Sequence, residues 1–405
     1  MSISDFASIL APLKAAFATP VAVTALLFFL ALFLAEAAVR MLRAPRIAAL
    51  VLAGALLGAL RRGSETVAIM PLPNLLLEAL AMVLLFEVGQ RVPLGWLRRN
   101  PWLLATSMGE CAIAFAAIYT VLVLGFAVSS VDSALVAVIC MAASPIVVMS
   151  VSKDLRTRGQ VSERALLLST LSSVYAVLLL QLFLAGYRAA TGVELVSVMQ
   201  PIWQLAGSFL LGVVAAAALR LYAVVTRARG ALLTIGIICC CVLLYAYALP
   251  LGLSPILAAL FFGLIVRGTD RTHHVLSHQT SETGAVLTLA YFILVGASLS
   301  WIESWALLGV AAAAATARLL AKIVANTAIA PLAGLSFAKG ALVGVALAPL
   351  SSLALTLIAS VALQPELRRA AEVSAAVVLF MAILGPVLTE LALRRAGEPT
   401  SGTAR

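Results

Sequence analysis

Residues 142–150, AASPIVVMS, place a proline inside an apolar segment that is long enough to cross a membrane. Proline removes a helical hydrogen bond and clashes with the preceding turn, so Pro145 is expected to interrupt this helix near mid-membrane. A second interruption is expected in residues 345–355, VALAPLSSLAL, at Pro349. Paired broken helices in the two halves of a chain indicate a solute site at the midplane of an inverted repeat. The alternative is a pair of ordinary proline kinks.

The composition of the 405-residue chain is that of a polytopic membrane protein. Hydrophobic residues make up 63% of the sequence and charged residues 11%, which leaves too few polar side chains to cover a water-soluble surface. The apolar runs show no strand-like alternation, so helices are favoured over a barrel. Because a helix needs about 20 apolar residues to cross the bilayer core, the breaks at charged clusters and at Pro or Gly predict spans at approximately 9–35, 46–60, 71–90, 101–127, 131–151, 164–186, 200–225, 230–249, 253–267, 283–300, 303–331, 339–363 and 370–393.

The distribution of charge predicts the orientation and the partners. Lys and Arg are about threefold more numerous in one set of alternate loops, which places those loops and the C-terminus in the cytoplasm and the N-terminus outside. The net charge of +10 is explained by cytoplasmic loops that face anionic lipid, so nucleic acid is not an expected partner. We expect the lipid bilayer and a small ion or solute as partners.

The Cys and His residues indicate neither a metal site nor a cofactor. The five Cys lie in apolar runs, where Cys behaves as a small hydrophobic residue. The three His share one polar loop, HHVLSH at residues 273–278, without a carboxylate or Cys to complete a ligand set. The sequence also offers no cluster of nucleophile, base and orienting group, so we do not expect an enzyme.

Five segments occur in an order that resembles one known family. They are LRAPRIAALVLAGALLGA at 42–59, LLFEVGQRVP at 84–93, ASPIVVMSVSKDLR at 143–156, LGLSPILAALFFGLIVR at 251–267 and LAYFILVGASLSW at 289–301. Together they resemble the monovalent cation:proton antiporter-2 branch of the sodium/hydrogen exchangers. The resemblance implies an all-α membrane protein with about 13 transmembrane helices in two inverted repeats with crossed broken helices. It also implies a secondary transporter in the bacterial inner membrane.

The resemblance also implies how the helices are divided. Core helices at about 101–186 and 303–393 would move against panel helices at about 9–90 and 230–300, and the panel would form a homodimer with a second copy of the chain. The helix at 200–225 would link the two halves. The whole chain, residues 1–405, would form one transmembrane domain without a soluble regulatory domain.

The departures from the family fall on its charged site. The paired Asn-Asp or Asp-Asp of the sixth span matches Ser172 and Ser173, and the Arg-Gly-Glu of the twelfth matches residues 350–352. Hydroxyl groups are neutral at physiological pH and carry no proton across the membrane. The substrate-binding set implied by the resemblance and by the broken helices consists of Ser144, Pro145, Ser172, Ser173, Lys322, Pro349, Ser351 and Ser352.

Lys322 matches a family lysine that in some members pairs with the missing Asp. A midplane ammonium without a partner costs at least ~2.5–3.5 kcal/mol, so four arrangements stay open. Lys322 is neutral, pairs with Glu110, holds an anionic ligand, or extends to the cytoplasmic surface. Glu110 is the leading candidate for a relocated proton-binding acid, with a structural hydrogen-bonding role as the alternative.

Three functions therefore remain open. The first is the family's nominal monovalent cation:proton antiport. The second is transport of an anion or neutral solute without conventional proton coupling, which a net positive site around Lys322 would favour. The third is a transport-inactive paralogue that acts as a subunit or sensor, which a site closed by Leu350 would favour.

Overall fold

The computed structural model describes residues 20–42, 46–62, 74–91, 101–190, 199–227, 230–269, 280–298, 305–350, 352–362 and 364–399. Several parts of the sequence predictions lie outside these ranges, among them the beginning of the first span, the His loop at 273–278, and Ser351.

The first half of the described chain is helical, as its apolar runs predict. Its helices are α1 (Pro20–Leu42), α2 (Arg46–Arg62), α3 (Asn74–Arg91), α4 (Pro101–Thr120), α5 (Ser130–Met141), α6 (Pro145–Asp154) and α7 (Gln160–Ala190). A π-helical turn, Val121–Gly125, extends α4. α1 continues beyond residue 35, where the first span is predicted to end, through Glu36 and Arg40, which pair with each other at 3.3 Å.

The second half is also helical. Its helices are α8 (Met199–Thr226), α9 (Ala231–Ala248), α10 (Pro255–Thr269), α11 (Thr280–Ser298), α12 (Trp305–Ile329), α13 (Phe337–Ala346), α14 (Ser352–Ala362) and α15 (Arg368–Arg395). Within the described residues, 7 helical segments are long and apolar enough to cross a membrane. The total number of spans and the inverted repeat stay predictions.

Two of the predicted spans are broken, at the prolines that the sequence indicated. Residues 142–144 separate α5 from α6, and Pro145 is the first residue of α6, a position where its fixed φ suits the helix and its missing N–H costs nothing. α13 ends at Ala346 and α14 begins at Ser352, and Pro349 lies in the described residues 347–350 between them.

Close packing between helices depends on glycine at two helix pairs. In the pair α2 and α11, Gly54 lies against the main chain of Ile293, and Gly296 lies against that of Val51. A Cβ atom at either glycine would collide with the opposite backbone. Small residues of this kind let helix backbones approach each other closely within a bilayer. The pair α3 and α10 is built in the same way, with Gly89 against Leu260 and Gly263 against Phe86.

The segment after α15 returns to the start of α7. The Glu398 carboxylate accepts hydrogen bonds from the backbone N–H groups of Val161, at 2.7 Å, and Ser162, at 2.9 Å. These are N–H groups of the first turn of α7, which have no partner inside the helix. Thr157 and Pro399 form an isolated antiparallel bridge beside this contact. Glu398 therefore caps a helix that begins 238 residues earlier, at Gln160.

Candidate functional site

The two broken helices meet at their unwound segments. The backbone N–H of Ser144 donates to the carbonyl oxygen of Pro349 at 2.9 Å. Gly385 of α15 packs against Pro349, in a space that a Cβ atom could not enter. The direct hydrogen bond between the two breaks shows that α5–α6 and α13–α14 cross, as the paired prolines predict. Ser144, Pro145 and Pro349 therefore lie at this crossing.

Arg318 of α12 joins the two helix ends that point into the crossing. Its side chain is fully buried, and its guanidinium donates to the carbonyl oxygens of Cys140 at 2.5 Å and Ala142 at 2.5 Å. The same group donates to Ala348 at 2.6 Å and Leu347 at 3.1 Å. The first two carbonyls belong to the C-terminal end of α5, and the other two to that of α13. Each such end carries roughly half a negative charge, so one guanidinium compensates both.

Ser172 and Ser173 of α7 bind the backbone of the first break. The Ser172 hydroxyl accepts a hydrogen bond from the N–H of Ala143 at 3.1 Å and donates to the carbonyl of Ser169 at 3.0 Å. The Ser173 hydroxyl lies 2.9 Å from two carbonyl oxygens, those of Ala143 and Ser169, to which it can donate. Both serines therefore satisfy backbone groups that the unwound segment cannot satisfy internally.

Lys322 of α12 and Glu110 of α4 form a buried ion pair. The ammonium Nζ lies 2.6 Å from Oε2 of Glu110, and both side chains are 0% exposed. This geometry selects pairing with Glu110 from the four arrangements that the sequence left open. Extension of Lys322 to the cytoplasmic surface is wrong, because the ammonium finds its counter-charge within the protein. The second carboxylate oxygen, Oε1, accepts a longer contact of 3.6 Å from the thiol of Cys111.

A small cleft lies beside this ion pair. Thr106, one helical turn before Glu110, and Asn326, one turn after Lys322, both line it. The Asn326 amide donates to the carbonyl of Lys322 at 2.9 Å. Arg164 of α7 completes the polar lining and donates to a backbone carbonyl at 2.6 Å. The cleft has room for about one water molecule, and the rest of its lining is apolar.

The family follows from a match over most of the chain. The family model described as "Sodium/hydrogen exchanger, transmembrane" matches residues 25–394. The chain belongs to the sodium/hydrogen exchanger family. Its structure is similar to that of the sodium proton antiporter MjNhaP1 from Methanocaldococcus jannaschii at pH 8, with a TM-score of 0.63 over 93% of this chain and 95% of that one. The two share 14% sequence identity, so this likeness establishes the fold. Among curated proteins, none matches the chain.

Membership of the sodium/hydrogen exchanger family confirms the family resemblance and the all-α membrane fold. The protein is a multi-pass membrane protein of a transporter family. Of the residues predicted to bind substrate, Ser351 lies outside the described residues. Ser352 is the first residue of α14, and only its backbone is described. Leu350, beside them, is buried.

Sequence reasoning missed three residues that the exchanger fold brings into this region. Arg318 can be recognised in the sequence as a cation within a predicted span, four residues before Lys322. Its role could not be predicted, because its acceptors are backbone carbonyls and no sequence pattern identifies them. Ser107 and Tyr175 lie near Glu110. Their only signal was spacing: Ser107 is three residues before Glu110 and Tyr175 three after Ser172, which places each pair on one helix face.

Proposed function

We propose that the protein is a proton-coupled secondary transporter of monovalent cations in which the Glu110–Lys322 ion pair takes the coupling role. The observation that carries this proposal is the buried pair itself, with 2.6 Å between Nζ and Oε2 and no exposure of either side chain. Buried charges are costly, and a pair of ionisable side chains inside a membrane segment is by default a functional site.

The proposed coupling follows from competition for one carboxylate. A cation that reaches Glu110 competes with the Lys322 ammonium for the same negative charge. An ammonium that loses its partner in a buried site is destabilised in its charged form, so Lys322 releases its proton. Cation binding and proton release are then linked, without any titratable group at positions 172 and 173.

Charge balance favours a cation over an anion as the substrate. Arg318 is compensated by two helix ends, and Lys322 by Glu110. Neither cation therefore contributes the excess positive charge on which an anion site would depend. Ser172 and Ser173 also give little support to an anion site, because their hydroxyl groups already form hydrogen bonds with the backbone of the break.

A second candidate function is a transport-inactive subunit or sensor. The specific observation in its favour is Leu350, which is 1% exposed at the unwound segment beside Pro349. An apolar side chain packed at the crossing of the broken helices opposes the entry of a polar solute there.

The remaining features of the proposal come from the sequence and the family. We place the protein in a bacterial inner membrane with its C-terminus in the cytoplasm, supported by the Lys and Arg distribution. The core and panel division of helices and the homodimer belong to the same proposal. The C-terminal contact of Glu398 with α7 would then lie on the cytoplasmic face.

Exchange in proteoliposomes tests the proposed function. Vesicles that contain the purified protein and an imposed pH gradient should lose that gradient when Na⁺ or K⁺ is added, and Glu110→Gln should abolish the effect. Glu372→Gln is the matched control, because Glu372 also pairs with a cation, Arg368 at 3.0 Å, but is exposed. A wild-type protein that never alters the gradient supports the inactive candidate. Glu110→Gln vesicles that exchange at the wild-type rate contradict the coupling role of the pair.

The double reversal Glu110→Lys with Lys322→Glu adds a test of pairing. It keeps one charge of each sign in the same buried contact, so it should be better folded than either single reversal. A double variant as unstable as the singles would show that the surroundings, not the pair, determine the charge arrangement.

A further inference from the structure

The half-helices α6 and α13, one from each broken span, lie between the long helices α7 and α15. Each half-helix packs against both long helices, whereas α7 and α15 share no extended contact of their own within the described residues. The four helices meet in a small buried cluster to which each contributes one side chain: Val148, Ala165, Ala346 and Ala392. Three of these are alanine, and a small side chain buries little apolar surface. The packing that holds α7 and α15 around the half-helices is therefore limited at this point.

This four-residue cluster lies between the crossing of the broken helices and the contact made by Glu398. On one side, Val148 follows Ser144 by one helical turn, and its N–H donates to the Ser144 carbonyl at 3.2 Å. On the other side, Ala165 follows Val161 by one turn, and the Val161 N–H donates to the Glu398 carboxylate. About one turn of helix therefore separates the cluster from the crossing and from the Glu398 contact.

Residues 396–399, which we call the strap, tie the end of α15 to the start of α7. Gly397 turns the chain after α15 with a φ of +69°, a conformation that glycine adopts without strain. The carbonyl of Glu398 accepts a hydrogen bond from the N–H of Arg158 at 3.2 Å, and its carboxylate caps the first turn of α7. Gly159 leaves the room for this side chain, since a Cβ atom there would collide with it.

Two other contacts at this end of the bundle join α7 to the chain around the start of α13. The Arg164 guanidinium donates to the Ala333 carbonyl at 2.6 Å, and the Lys339 ammonium donates to Oε1 of Gln160 at 3.0 Å. Neither of these two contacts reaches α15. The strap therefore limits how far α15 can move away from α7 at this end.

We propose that the strap is a releasable closure over the crossing of the broken helices. While the strap is docked, α7 and α15 stay against the half-helices, and the cluster keeps water from the Ser144 N–H and the Pro349 carbonyl. When the strap is released, α7 and α15 separate at this end, and water reaches the crossing past the small side chains of the cluster. Local openings cost less than global unfolding where few buried contacts hold a segment. This inference goes beyond the proposed function, because it concerns access to the crossing and not the solute that uses it.

Hydrogen–deuterium exchange of the purified protein tests the closure. The backbone N–H groups of Ala143 and Ser144 are buried and hydrogen-bonded at the crossing, so they take up deuterium only when water reaches them. Glu398→Ala should speed uptake at both amides on the order of tenfold, because it removes two hydrogen bonds to a charged group. Ser336→Ala is the matched control, since it removes the N-cap of α13 at the same end and should speed uptake only in the first turn of α13.

A reversible disulfide gives a second test of the closure. A Cβ atom at Gly159 would lie 2.5 Å from Cγ of Glu398, and therefore at most about 4 Å from its Cβ, within the range that a disulfide requires. The double variant Gly159→Cys with Glu398→Cys should hold the strap docked when oxidised. Deuterium uptake at Ala143 and Ser144 should be slow in the oxidised protein and on the order of tenfold faster after reduction. Each single Cys variant should show no response to the reductant.

The outcomes separate the closure from a simple helix cap and from the proposed function. If Glu398→Ala speeds deuterium uptake only in the first turn of α7, Glu398 is a cap and the closure is wrong. Equal uptake at the crossing in the oxidised and reduced double variant also overturns it, and this comparison decides the test if Glu398→Ala does not fold. Failure of the disulfide to form in the folded protein contradicts the docked strap. None of these results requires transport, so a strap that controls the crossing stands even if the proteoliposomes show no cation exchange.

Discussion

Replacement of Arg318 by Met should destabilise the protein more than replacement of any surface arginine. The substitution keeps a long apolar side chain and removes donors to four carbonyl oxygens at the ends of α5 and α13. At about 1 kcal/mol or more for each acceptor left unsatisfied, the loss is at least ~4 kcal/mol. The guanidinium no longer has to be buried, which offsets part of that loss, so we expect a net destabilisation of ~3–5 kcal/mol.

The assay for Arg318 is unfolding by SDS in mixed micelles, followed by far-ultraviolet circular dichroism. Arg318→Lys keeps the charge, but a compact ammonium cannot bridge both helix ends as the planar fork does, so we expect a smaller loss of ~1–3 kcal/mol. Arg368→Met is the control, because its side chain is 78% exposed and surface substitutions usually stay within about 0.5 kcal/mol. An Arg318→Met protein within ~1 kcal/mol of the wild type would refute the bridging role.

Two other contacts give predictions of stability. Glu398→Ala should lower the melting temperature by removing the cap of α7, at a cost of about 0.5–2 kcal/mol. Gly159→Ala should act on the same contact, because its Cβ would collide with the Glu398 carboxylate, and the two changes should not be additive in a double-mutant cycle. Ser172→Asp should be better tolerated than Ser173→Asp, by roughly 1–3 kcal/mol in the same melting assay. At position 172 an ionised Asp keeps the N–H of Ala143 as a donor and faces one carbonyl, that of Ser169. At position 173 it faces two carbonyls to which it cannot donate, and the reverse order of stability would contradict this account.

The broken helices could be predicted from the sequence because proline acts locally. Pro145 and Pro349 each remove a backbone donor within an apolar run, and the helices break at those positions in the structure. The crossing of the two breaks, a contact between residues 144 and 349, follows only from the paired-break pattern. The length of α1 was harder to predict from charge alone, because Glu36 and Arg40 form a pair four residues apart that is compatible with a continuing helix.

The candidate site was harder to predict because its contacts join distant helices. Lys322 and Glu110 are 212 residues apart, and the sequence could name them as possible partners but could not choose that arrangement. Ser172 and Ser173 were identified from the family match, yet their role at the backbone of Ala143 has no sequence signal. A hydroxyl group that binds backbone looks the same in sequence as one that faces a substrate.

The two cations of α12 have different roles because their partners differ. Arg318 and Lys322 are four residues apart, so they lie on one helix face. The partners of Arg318 are main-chain carbonyls at helix ends, which cannot change protonation state. The partner of Lys322 is a carboxylate, to which a cation or a proton can bind in place of the ammonium. Under the proposed function, Arg318 would hold the crossing in every step of a transport cycle, while Lys322 would exchange its partner. Under this division of roles, the carboxylate that pairs with Lys322 need not lie on α7. Any helix that places a carboxylate against Lys322 can provide the partner. α4 does so through Glu110, which leaves positions 172 and 173 of α7 to hydroxyl groups that hold the broken helix.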